Sequence, residues 1–144
     1  MVTLEEFVKR FNNVESFLNK WHEEAMIKHS NEIVDMNRKQ MLQGINSEGE
    51  MMQQGYSPGY AKLRKKKGLQ IGFVDMKFTG KFQDSLKGVK NPKGLDLKSN
   101  VDYEKYLRDD KYGTAIGLTE ENADVIEEKL IKELAPKLKK YLVK

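Results

Sequence analysis

The chain contains no cysteine. That excludes disulfides, thiolate catalysis and zinc sites built on sulfur, and it suits a reducing compartment. Histidine is nearly as scarce, with His22 and His29 alone. A zinc-protease helix beginning His22-Glu23 needs its second histidine four residues on, where Met26 stands, so no metal or cofactor is expected. No apolar run approaches the roughly 18–20 residues that span a bilayer, and no membrane partner is expected. Met1-Val2-Thr3-Leu4-Glu5-Glu6 lacks the basic stretch and apolar core of a secretory signal, so a soluble protein is expected.

Catalytic patterns are missing as well. Ten of the 22 carboxylates come as adjacent pairs, at Glu5-Glu6, Glu23-Glu24, Asp109-Asp110, Glu120-Glu121 and Glu127-Glu128. Neighbours on a helix point about 100° apart, so such pairs do not converge on one substrate. Ser57 and Ser85 have neither a glycine elbow nor a base nearby. Gly68-Leu69-Gln70-Ile71-Gly72 lacks the lysine ending of a phosphate-binding loop. No convergent acid, base or nucleophile set is visible, and a non-enzymatic protein is expected.

What is present is charge, unevenly placed. The 144 residues carry a net +4. Residues 1–54 hold six basic and nine acidic side chains, a net −3, whereas residues 55–94 hold ten basic and two acidic, a net +8. Residues 95–144 return to −1. The basic character belongs to the middle segment, where Lys62, Arg64, Lys65, Lys66 and Lys67 follow Tyr56 and Tyr60. This cluster is the candidate partner-binding site. Its cations suit a DNA phosphate backbone, with tyrosines to stack on bases, or an acidic protein surface; a merely solvated loop is the plainer reading.

Length favours one domain over residues 1–144, in three regions. Thr3-Leu4-Glu5-Glu6 is a capping box, and Leu4, Phe7, Phe11, Val14, Leu18, Trp21 and Ala25 recur three or four apart. One long helix or two consecutive ones are expected to about residue 43, ending at Gly44. The narrow stripe needs a partner, either the C-terminal helix or another copy. Residues 44–72, punctuated by glycine, read as a long basic loop with a helical turn or two after Pro58. In residues 73–144, a short helix starts near Thr79 or Gly80, and strands 87–91 and 95–99 flank a turn at Asn91-Pro92-Lys93-Gly94. A helical turn at 102–108 and a third strand at 114–118 follow. Thr119 then caps a final helix lined by Ile126, Leu130, Leu134, Leu138 and Leu142, with a kink expected at Pro136. The fold class is α+β: long terminal helices flanking a small antiparallel sheet.

Thr79-Gly80-Lys81-Phe82-Gln83-Asp84-Ser85, the candidate hairpin, Tyr112-Gly113 and Gly117-Leu118-Thr119 occur in an order that resembles the virion-morphogenesis and tail-completion proteins of tailed bacteriophages. The resemblance covers residues 74–144; Thr114-Ala115 replaces an Arg-Pro pair often found in that family. It implies a structural protein of the virion, made in the bacterial host cytoplasm. Its partners would be copies of itself in a head–tail ring, other neck, portal or tail proteins, and possible DNA backbone contacts. Thr79, Gly80, Phe82, Ser85, Gly117, Leu118 and Thr119 would then be structural motif residues. The alternative is a stand-alone nucleic-acid-binding module using Lys62–Lys67.

Overall fold

The computed structural model describes residues 1–52, 55–92, 94–109 and 112–144. Lys93 of the expected turn and Asp110 of the Asp109-Asp110 pair lie outside the described residues. The architecture is α+β: helices dominate both ends, and the described strands form a two-stranded antiparallel sheet.

The N-terminal helical region is three helices, α1 (Leu4–Asn12), α2 (Val14–Lys28) and α3 (Ser30–Leu42). The capping box forms in both directions: Thr3 Oγ1 accepts from the Glu6 N–H at 3.2 Å, and Glu6 Oε2 accepts from the Thr3 N–H at 3.0 Å. The expectation of one or two helices is corrected by breaks at Asn13 and His29, whose ψ angles of 8° and 7° leave the helical region. At the first break Asn13 donates to the Lys9 carbonyl at 2.8 Å, a local bond that competes with continuing the helix. The breaks divide the apolar stripe. Trp21 and Ala25 enter the core, while Leu4 and Phe11 stay exposed.

α3 ends in a Schellman motif: the Ile45 N–H donates to Gln40 O, and the Gly44 N–H to Met41 O. Gly44 has φ +74°, and a Cβ there would lie 2.5 Å from the Phe73 ring. The region read as a long loop is ordered further by an Ile45–Met51 bridge and by α4 (Pro58–Lys66). Pro58 stands at the helix start, where its missing N–H costs nothing.

Beyond it come α5 (Lys81–Ser85), β1 (Lys87–Asn91) and β2 (Gly94–Lys98). The hairpin register runs from Lys87 opposite Lys98 to Asn91 opposite Gly94. α6 (Glu104–Asp109) and a 3₁₀ turn (Gly113–Ala115) lead into α7 (Glu120–Val143), which continues through Pro136. Thr119 caps α7, its side chain accepting from the Asn122 N–H at 3.3 Å.

The third strand, expected at 114–118, does not form. Two buried amides on α3 take its backbone bonds instead. Asn37 donates to the Ala115 and Gly117 carbonyls at 3.0 and 2.9 Å. Gln40 donates to Gly117 O at 2.9 Å and accepts from the Thr119 N–H at 3.0 Å. A backbone satisfied by side chains needs no strand partner. Gly117 is left at φ +136°, with a Cβ position 3.1 Å from Ser47, and half-buried Leu118 packs against the core. That core joins Trp21, Ile33, Val34, Met41, Phe82, Leu86, Leu97, Ile126 and Leu130, so α7 packs on α2 and α3. Farther along, Phe17 stacks on Tyr141 at 4.2 Å.

Candidate partner-binding cleft

α4 splits the basic run. Arg64 is 1% exposed, so its assignment as a surface cation is corrected. Side chains two residues away on a helix point about 200° apart. Lys62 and Lys66 therefore face away from Arg64 and, with Lys65, lie in solvent. Lys67, just past the helix end, places Nζ 5.5 Å from the Phe78 ring centroid.

The Arg64 guanidinium organises the segment that follows. Nε donates to Gln70 O at 2.9 Å and Nη1 to Lys77 O at 2.6 Å, while Nη2 reaches both Asp75 carboxylate oxygens at 3.0 and 3.2 Å. Its planar face lies 4.1 Å from the Tyr56 ring centroid and 5.8 Å from that of Tyr60. Tyr56 Oη donates to Asp75 Oδ1 at 2.8 Å, and Tyr60 meets the Tyr56 ring edge-on. Tyr56 and Arg64 thus act first on their own chain, as braces.

Burial pushes the Asp75 carboxyl up, but donors from Gln70, Lys77 and Tyr56, with the charge of Arg64, outweigh it and hold the group below the ordinary carboxylate range. Burial raises Tyr56 to about 12, opposed by the Asp75 N–H and reinforced by the carboxylate, so the phenol is neutral at physiological pH. Between these pinned groups sits Met76 at φ +56°, a left-handed conformation that a side-chain-bearing residue adopts only under constraint. The constraint is visible on both sides. Asp75 O accepts from Gln83 Nε2 at 2.8 Å, the Lys77 N–H donates to Asp75 Oδ1, and Lys77 O takes Arg64.

The result is a cleft of about 640 Å³ between α4, residues 74–82 and α6. Tyr60, Phe78 and Tyr103 offer ring surface at its sides; Val74, Met76, Phe82 and Leu107 form an apolar floor. Lys77 and Lys81 line it, and among the described residues no carboxylate does. Lys67, Lys77 and Lys81 are exposed and make no ion pair with a described residue.

The motif residues at 79–85 share this cleft with Tyr56, Tyr60 and Arg64. Gly80, at φ +86°, occupies the cap position of α5, and Thr79 Oγ1 accepts from the Lys81 N–H at 3.4 Å. Phe82 turns into the core, and Ser85 bonds the Phe82 carbonyl and the Ser99 hydroxyl. Arg38 closes the other end of α5, donating to the carbonyls of Gln83, Asp84 and Leu86. Gly117, Leu118 and Thr119 are not cleft residues; they lie under the α3 amides. Asp75, Phe78 and Tyr103 escaped sequence reasoning. α5 starts only at Lys81, which leaves Phe78 before the helix and free to line the cleft.

The arrangement offers stacking surface, apolar volume and positive charge, while its buried acid is held by three donors. Among the described residues no helix is long and apolar enough to cross a membrane. No protein-family model, curated protein or solved structure matches this chain.

Proposed function

We propose that this protein is a non-enzymatic structural component of a tailed-phage virion, assembling with its own copies into a ring at the head–tail junction and engaging neck, portal or tail proteins there. The virion setting comes from the resemblance of residues 74–144. The observation that carries a binding role is the cleft, where the basic Tyr56–Lys67 segment and the Thr79–Ser85 element meet around ring faces and lysines that pair with no described residue. Copies in a ring meet head to tail through two different surfaces. A helix with exposed Leu4, Val8 and Phe11 is a further unpartnered face on the same chain. The test is native mass spectrometry of the full chain, alone and with its phage's capsid, portal and tail proteins, together with proteomics of purified particles. Ring-sized masses and presence in the particle are expected. A monomer that joins none of these proteins and is absent from particles defeats the proposal.

One observation favours a second reading. Lys62, Lys65 and Lys66 form an exposed cationic face outside the cleft, without ion pairs to described residues. A nucleic-acid module would use them on phosphates, with affinity falling steeply as salt rises. Alanine at all three should then abolish binding; absence of DNA binding at low salt removes this reading.

A further inference from the structure

We infer that the cleft receives the outer face of the first three turns of α7 from a second copy, a head-to-tail contact between unlike surfaces of one chain. This rests on the self-assembling role proposed above and names the surfaces that would perform it.

The argument is charge complementarity. The cleft mouth carries Lys67, Lys77 and Lys81, with no carboxylate among the described residues of its lining. The outer face of α7 carries Glu120, Glu121, Asp124, Glu127 and Glu128, all exposed and none ion-paired with a described residue. The helix dipole accounts for acids in the first turn, at Glu120 and Glu121, but fades before Asp124, Glu127 and Glu128. Those three carry charge that the fold of one chain does not use.

One apolar residue accompanies the acids. Val125, 46% exposed, lies about one turn from both Glu121 and Glu128, while Ile126 and Leu130 turn to the core. It would rest against the ring surface of the cleft, with the carboxylates meeting the lysines at the rim.

The floor also disfavours the main competing ligand. Its buried polar side chains are already hydrogen-bonded to their own chain, and no buried side-chain polar atom among the described residues lacks a partner. A nucleobase seated there would find no unpartnered buried polar side chain among the described residues of the floor and could bond only groups at the exposed rim. An aliphatic side chain loses nothing.

The test is sedimentation of the full-length chain at about 20 mM and about 0.5 M salt, where screening lengths differ severalfold. Concentration-dependent association is expected at low salt and dissociation at high salt. K67E/K81E and D124K/E128K, each checked for native circular dichroism, should weaken self-association about tenfold or more. An equimolar mixture of the two should recover it, because the intact cleft of one meets the intact helix face of the other. K62E/K66E, on the opposite face of α4, should leave association unchanged. A monomeric wild type at low salt overturns the inference, as does a mixture that fails to recover. Association destroyed by K62E/K66E alone, or a cleft that binds oligo-dT in a monomeric chain, overturns it equally. A chain that enters particles yet stays monomeric sinks this contact while leaving the virion role standing.

Discussion

Replacing Asp75 with asparagine strands the Arg64 guanidinium. The two side chains are 7% and 1% exposed, so the unpaired charge has almost no access to water. Removing one partner of a buried pair costs about 3–5 kcal/mol. Asparagine keeps one acceptor oxygen, and the bonds from Arg64 to Gln70 O and Lys77 O survive, which places Asp75→Asn near the lower end. With a urea slope of roughly 2 kcal/mol per molar, the unfolding midpoint should fall by about 1.5 M. Arg64→Met orphans both carbonyls as well and should cost at least as much. The double variant should lose clearly less than the sum, because removing the carboxylate matters only while the guanidinium remains. Lys62→Met, on the solvent side of the same helix, should stay within about 0.5 kcal/mol of the wild type. An Asp75→Asn midpoint shift under about 0.5 M would refute the view that this pair braces the cleft.

Acid should expose the same pair. The folded Asp75 pKa lies below its unfolded value of about 3.9, so its stabilisation is complete above that pH and is lost as pH falls through the folded value; melting curves from pH 6 downward should show a shallower acid limb in Asp75→Asn. Gln40→Leu leaves the Thr119 N–H and the Asn122 side-chain amide without their acceptor, while the Gly117 carbonyl keeps Asn37, and should destabilise by about 1–3 kcal/mol in urea titration, whereas Gln43→Leu, exposed at the end of α3, should change little. Gly44→Ala combines a left-handed backbone with a Cβ 2.5 Å from Phe73 and should cost more than Gly49→Ala, which has the same sign of φ but open space. Gly59→Ala, inside α4 with nothing within 4 Å, should raise thermal stability by about 0.5–1 kcal/mol.

Much of the fold was legible because its signals are local. The capping box at Thr3, the Gly44 terminus and the Thr119 cap depend on residues within four or five positions of one another, and the hairpin at 87–98 on residues no more than eleven apart. Where a third strand was expected, the deciding partner was distant. The 114–118 segment reads as a strand because nothing nearby reveals that Asn37 and Gln40, about 80 residues earlier, will take its hydrogen bonds. Tyr56, Tyr60 and the basic run were singled out as a candidate site, but treating the run as one patch overlooked Asp75, which draws Arg64 inward.

The amino-acid sequence determined the α+β class, the ends of the principal helices, the hairpin and the concentration of positive charge in the middle of the chain. These follow from side chains competing for nearby backbone groups and from the periodicity of apolar residues. Only the tertiary structure decided what the middle segment became. Burial drew Arg64 onto Asp75 because a desolvated charge needs its counter-charge, and that pairing folded residues 74–82 against α4. Tyrosines from one stretch and lysines from another were thereby brought to the same cleft.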